Sequence, residues 1–238
     1  MATRIVIPDA HIPYHDKRAF ELVTRVIEKV KPDEVIVIGD FADFYSVSQF
    51  SKDPERVLNL KWEVDQVNKA LDLVKCKNVV FLEGNHEYRL SRYIQNNAPA
   101  LAGITSVPKL FNIEERGWSF VPYGDFYRSN RVTYVHDLGF AGKYSMFSTL
   151  QASGGNVVYG HSHQAGIIYQ GHQGSQGHFC MNVGWLGDYK KLEYMNKMKA
   201  IRQWRLGFGL VEEVGNLVYA QFIPVLNYQC HLMGKTVK

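Results

Sequence analysis

The chain has 238 residues, with 27 Lys and Arg against 23 Asp and Glu, a formal net charge of +4, and 46% hydrophobic residues. That composition is ordinary for a globular protein and excludes a chain that is basic throughout; the length suits one domain, 1–238, better than two small ones. No apolar run reaches the roughly 18 residues of a membrane helix, and MATRIVIPDAH lacks signal-peptide design, so a cytoplasmic protein without a membrane partner is expected. Cys76, Cys180 and Cys230 are far apart and form no CxxC, which predicts reduced, packed thiols.

Arg4-Ile5-Val6-Ile7, closed by Pro8-Asp9, predicts a buried strand. Phe20, Val23, Val26, Ile27 and Val30 recur at helical spacing until Pro32 stops the helix. Glu34–Ile38 predicts a second buried strand ending in Gly39-Asp40, which completes a βαβ unit with parallel strands. Residues 57–74 predict a helix with Leu60, Val64, Val67, Leu71 and Val74 on one side, and Val79–Leu82 a third strand ending in Gly84-Asn85-His86. Past Gly117 the texture is more β-like, at 118–121, 131–135, 157–159, 166–169 and 178–181. Two late strands, 207–211 and 217–224, flank a turn at 213–216. One α/β domain with a β-rich second half is expected, with substrate-facing insertions near 44–60, 94–117 and 164–205.

Five predicted strands end in Asp, His or Asn: Asp9 and His11, Asp40, Asn85, His136, and His161 with His163. In an open parallel sheet such ends share one edge, where ligands bind. Carboxylate, imidazole and amide donors without cysteine suit divalent metals such as Mn, Fe or Zn. Seven donors are too many for one tetrahedral ion and suit two ions sharing a carboxylate. Manganese is the first expectation, with Fe, Zn, Ni or Mg as alternatives. Such a site attracts phosphate, and metal-activated hydroxide attack on phosphorus follows. His86, next to Asn85, is placed to protonate the departing oxygen, with Asp43 to orient it.

DAH at 9–11, GDFAD at 39–43, GNHE at 84–87, His136 and GHSH at 160–163 resemble the five ordered motifs of the calcineurin-like metallophosphoesterases. The resemblance implies two β-sheets packed as a sandwich and flanked by helices, in four layers, around a dinuclear centre. It implies one metal on Asp9, His11 and His163, the other on Asn85, His136 and His161, and Asp40 between them. His86 corresponds to the family's catalytic histidine and Asp43 to its carboxylate partner. Two phosphate-gripping arginines of the family's Ser/Thr protein phosphatases are replaced by Phe44 and Glu83. Asp43 stands where the family's repair nucleases often have His, and Asp137 where Gly is frequent after the histidine.

Arg89 and Arg92, three apart after GNHE, share a helix face and are candidate phosphate contacts. Phe44, Tyr45, Phe50 and Trp62 read as core or as an aromatic wall for a base. Residues 188–205 hold six Lys and Arg against two acids, with Tyr189, Tyr194 and Trp204 interleaved, which suits DNA or RNA as well as a solvated helix face. His15, His172, His178 and His231 match no motif. The leading expectation is a phosphodiesterase acting on a nucleotide or nucleic acid. A phosphomonoesterase is the alternative, and a non-catalytic metal-binding module the third reading.

Overall fold

The computed structural model describes residues 1–53, 56, 59–171, 177–191 and 204–238. Alternation along its strands decides the architecture. β1 (Ala2–Ile7), β2 (Glu34–Val37) and β3 (Val79–Leu82) send Ile5, Ile7, Val35, Val37, Val79 and Phe81 to one apolar cluster. The intervening Val6, Ile36 and Val80 point the opposite way, into a second cluster. The first cluster is closed by α1 (Lys17–Val30), α2 (Leu60–Leu71) and α3 (Tyr88–Asn97), which contribute Phe20, Val67 and Leu90 among others.

Both flanks of this sheet are extended. β4 (Ser119–Val121) continues the parallel set beyond β3. A second sheet holds β5 (Tyr127–Ser129), β6 (Val132–Val135), β7 (Asn156–Tyr159), β8 (Ala165–Gln170) and β9 (His178–Val183), ordered β5-β6-β7-β9-β8. Its Tyr134, Val158 and Met181 meet Val6, Ile36 and Val80 between the sheets. Its outer face carries Val135, Val157 and Tyr159 beneath α5 (Ser145–Ser153). The late strands, β10 (Gly207–Val214) and β11 (Leu217–Pro224), return to the first sheet, antiparallel beside β1. A hairpin of β12 (Cys230–Leu232) and β13 (Lys235–Val237) follows.

The result is helices, sheet, sheet, helix: the four-layer sandwich, α/β in class. This is the two-sheet sandwich that the motif resemblance implies, so the donor-bearing strand ends are divided between two sheets. Donors come from β1, β2 and β3 in one sheet and from β6 and β7 in the other. The helix expected at 57–74 begins at Leu60, because Asn59 Oδ1 accepts from Trp62 N at 2.9 Å and caps it there; positions 57 and 58 lie outside the described residues. Val74, past the helix end, is buried nonetheless. α5 escaped the sequence reading because polar Ser145 and Thr149 occupy its buried face. The three cysteines are free, and Cys180 and Cys230 are buried. No helix among the described residues is long and apolar enough to cross a membrane.

Candidate metal centre

Each sharp turn after a strand delivers one or two donors. Four non-glycine residues at these turns, His11, Asp40, His161 and His163, have positive φ between 48° and 63°. Such backbone is costly for L-residues and persists where the surroundings over-determine it. Gly39 and Gly84 meet there: a Cβ on Gly84 would stand 2.3 Å from Asp40 N and Oδ1. Asp9 needs the same close approach, since a Cβ on Gly160 would stand 2.4 Å from its Oδ1.

The seven donors converge. His163 Nε2 lies 3.0 Å from His11 Nε2 and 3.1 Å from Asp9 Oδ2. Asn85 Oδ1 lies 2.8 Å from His161 Nδ1 and 3.1 Å from His136 Nε2, which is 3.3 Å from Asp40 Oδ2. Asp40 belongs to both groups: with Asp9, His11 and His163, and with His136 and His161, its donor oxygen lies within 4.8 Å of every other ligand atom. Atoms bonded to one cation at roughly 2.0–2.2 Å stand about 3.0–3.5 Å apart, so these spacings fit shared cations. Asp9 Oδ1, buried and without a protein partner, fits as well. The cluster is thus a buried His/Asp site compatible with divalent metal.

His86 and Asp43 sit against it. His86 Nδ1 lies 3.1 Å from the Asp43 carbonyl oxygen and 3.5 Å from Asp43 Oδ2, which is also 3.3 Å from His11 Nδ1. Asp43 therefore serves two imidazoles, a donor and a neighbour of the centre. The other nitrogen of His86, Nε2, faces Asp40 Oδ2 at 3.9 Å and Arg89 Nη2 at 2.9 Å. Arg89 also donates to the Asp43 carbonyl at 2.9 Å. Arg92 does not reach the cluster; it donates to Gln49 Oε1 at 3.0 Å, on the rim.

Charges inside follow from burial and neighbours. Burial opposes charge on His136, but the adjacent Asp40 carboxylate outweighs it and lifts its pKa to about 10. Burial likewise opposes charge on His86, yet Asp40 and Asp43 leave it raised. His11, desolvated and beside His86, is pushed down to about 4. Asp40 stays well below the usual carboxylate range despite burial, because His136 and His86 favour its ionised form.

Three residues of the site were not singled out from sequence. Glu87 accepts from Gly84 N at 2.9 Å, Asp40 N at 2.9 Å and Ala42 N at 2.7 Å, tying the second and third donor loops together. Its place inside GNHE was the available signal. Asn182 donates to Gly160 O at 2.7 Å and accepts from Gly184 N at 3.0 Å, which fixes the GHSH loop; nothing local marks it. Trp185 stacks on His163, with ring centroids 5.3 Å apart and an 18° tilt, and Trp204 meets the same ring edge-on at 4.3 Å. Trp204, one of the aromatics of 188–205, is thus a buried wall of the centre rather than an exposed stacking surface. Residues 192–203 of that segment, Tyr194 among them, lie outside the described residues, as does His172. Of the four aromatics after GDFAD read as core or as a wall for a base, Phe44 and Tyr45 are buried, whereas Phe50 and Trp62 are exposed.

A carboxylate–imidazole cup at the strand ends of a four-layer sandwich defines the metallophosphoesterase class. The family described as Calcineurin-like phosphoesterase matches residues 3–200, and the chain belongs to it. The Gene 54 protein of Mycobacterium phage D29 is 29% identical over 242 residues, covering 93% of each chain. Its counterpart in Mycobacterium phage L5 is 27% identical, covering 97% of this chain and 96% of that one. A phosphoesterase from E. coli, Yfce, aligns over 89% of this chain and 88% of its own at 13% identity, with a TM-score of 0.45.

Proposed function

We propose that this chain is a two-metal phosphodiesterase acting on a nucleotide or nucleic acid. The supporting observation is the arginine count at the cluster. Arg89 enters it beside His86, whereas Phe44 and Glu83 are buried in other roles, Phe44 against Phe111 and Glu83 accepting from Tyr123 N at 3.0 Å. A monoester approaches about −1.5 to −2 charge at neutral pH, and a diester carries one. One arginine beside cations matches the diester better.

The residues divide the work. Asp9, His11, Asp40 and His163 would hold one ion, and Asp40, Asn85, His136 and His161 would hold the other. Such a pair, manganese first among the metals this donor set suits, would supply Lewis-acid stabilisation of phosphoryl oxygens and would acidify a water. Arg89 binds a non-bridging oxygen and fixes the phosphate beside His86. His86 Nε2 accepts from Arg89 in this arrangement; when a phosphate takes up the Arg89 donors, Nε2 is released to carry the proton that passes to the leaving oxygen, with Asp43 beside Nδ1. Trp185 and Trp204 exclude water behind His163 and strengthen every charge interaction in front of it. A nucleic-acid strand would also meet exposed Lys190, Lys191 and Arg205 at the ends of 188–205.

The test compares kcat/KM for bis(p-nitrophenyl) phosphate and p-nitrophenyl phosphate with Mn present. A higher value for the diester is expected. A strong monoester preference would overturn the proposal in favour of phosphomonoesterase action.

A further inference from the structure

Beside the Asn85 half of the centre lies a groove of about 840 Å³, between the loop 47–50 and α3. Its inner end is Asn85 and Arg89, so it starts where the phosphate is proposed to sit and leads away from it. That position makes it the seat of an ester substituent rather than of the reacting phosphate.

The lining is chemically specific. Tyr88 and Tyr123 form one wall, their rings 5.2 Å apart and tilted by 32°, with Tyr123 6.3 Å from His136. Phe50, 75% exposed, stands at the mouth. A large aromatic so exposed on the rim of a cleft is suited to cover a flat apolar ring. Gln49, Gln95 and Asn96 add amides, each both donor and acceptor, the chemistry that reads the edge of a base. Charge in the groove comes from Arg89 and Arg92, and none of the described residues lining it is acidic. The two arginines are three apart on α3, roughly 5–6 Å between Cβ atoms. Arg92 uses one donor on Gln49 Oε1, and the rest of its planar fork suits a second phosphate.

We infer that this groove binds one nucleotide next to the scissile bond, its base against Tyr88, Tyr123 and Phe50 and its further phosphate on Arg92. A lone small phosphate ester would use neither the aromatic wall nor the second arginine. The inference rests on the phosphodiesterase reading for the reaction, but its binding part can be measured without turnover.

The probe is thymidine 3′,5′-bisphosphate, titrated into the full chain by calorimetry, in EDTA and again with Mn, beside inorganic phosphate. Bisphosphate is expected to bind more tightly than phosphate in both conditions. Arg92→Gln, at an exposed position, and Tyr88→Leu are each expected to weaken it by about tenfold, about 1.4 kcal/mol. With Mn, both variants should lower kcat/KM for the dinucleotide pTpT more than for bis(p-nitrophenyl) phosphate. Equal affinity for phosphate and bisphosphate, or equal losses on both substrates, would overturn the groove assignment while leaving the diesterase reading intact. Tight bisphosphate binding without hydrolysis of any diester would overturn the diesterase reading and leave the groove.

Discussion

The two halves of the centre differ in what surrounds them. The half with Asp9, His11 and His163 is shut: Asp9, His11 and Trp185 have no exposed surface, and Trp204 closes the remaining side. The half with Asn85, His136 and His161 is open, because Asn85 and His161 are only partly buried and Asn85 lines the groove. Asp40 joins them. The contrast shows how one cup can bind firmly and still admit substrate. A dry wall fixes the imidazoles of one side, and the other side leaves room for an ester and its leaving group.

The shared member offers the severest way to break this division. Asp40→Ala should lower diester turnover by at least about 10³-fold and remove metal from both halves, read by metal analysis of the purified chain. Retention of full metal content would show that Asp40 does not join the halves. His86→Gln should act on chemistry alone, with turnover down about 10²–10⁴-fold and metal content kept. Metal loss in that variant would make His86 part of the binding set instead.

Stability separates the halves further. Trp185→Ala should destabilise the chain by about 3–5 kcal/mol in urea unfolding, as for large buried aromatics. Tyr123→Ala, on the open side, should cost less than half as much; equal losses would erase the distinction. In EDTA the halves should also respond oppositely to pH. His136, raised to about 10, stabilises the folded chain fully below its unfolded pKa of about 6.5, and that contribution is lost as pH rises through about 10. His11, depressed to about 4, has its contribution above about pH 6.5 and loses it as pH falls through about 4. Unfolding free energy should therefore decline from pH 7 to 10 in the wild type and decline less in His136→Asn; an unchanged slope would assign the alkaline loss elsewhere. Last, Tyr189 donates to Trp204 O at 2.7 Å and accepts from Trp185 Nε1 at 3.3 Å. Tyr189→Phe should lower stability by about 0.5–1.5 kcal/mol, and an undiminished melting temperature would show that these bonds add nothing to the closed wall.

Much of this was legible in the chain itself. β-branched runs ending in Gly-Asp, Gly-Asn-His and Gly-His-Ser-His mark where strands stop and what they carry, because strand formation and sharp turning are local properties. Which Asp, His and Asn residues stand at those ends, and in what order, is read directly from the chain. α5 and the capped start of α2 were less legible, since both depend on what packs against them or on a single capping side chain.

Tertiary structure decided the rest. Periodicity cannot tell one parallel sheet from two facing ones: Ile5 and Val6 both read simply as apolar, and only the second sheet sends them to different interiors. Nor could local pattern show that Arg89 turns inward to His86 while Arg92 turns out to Gln49, or that Trp204 is a wall. Identity and order of the donors are written residue by residue. Their mutual distances, and which side stays open, depend on contacts between segments as far apart as Asp9 and His161.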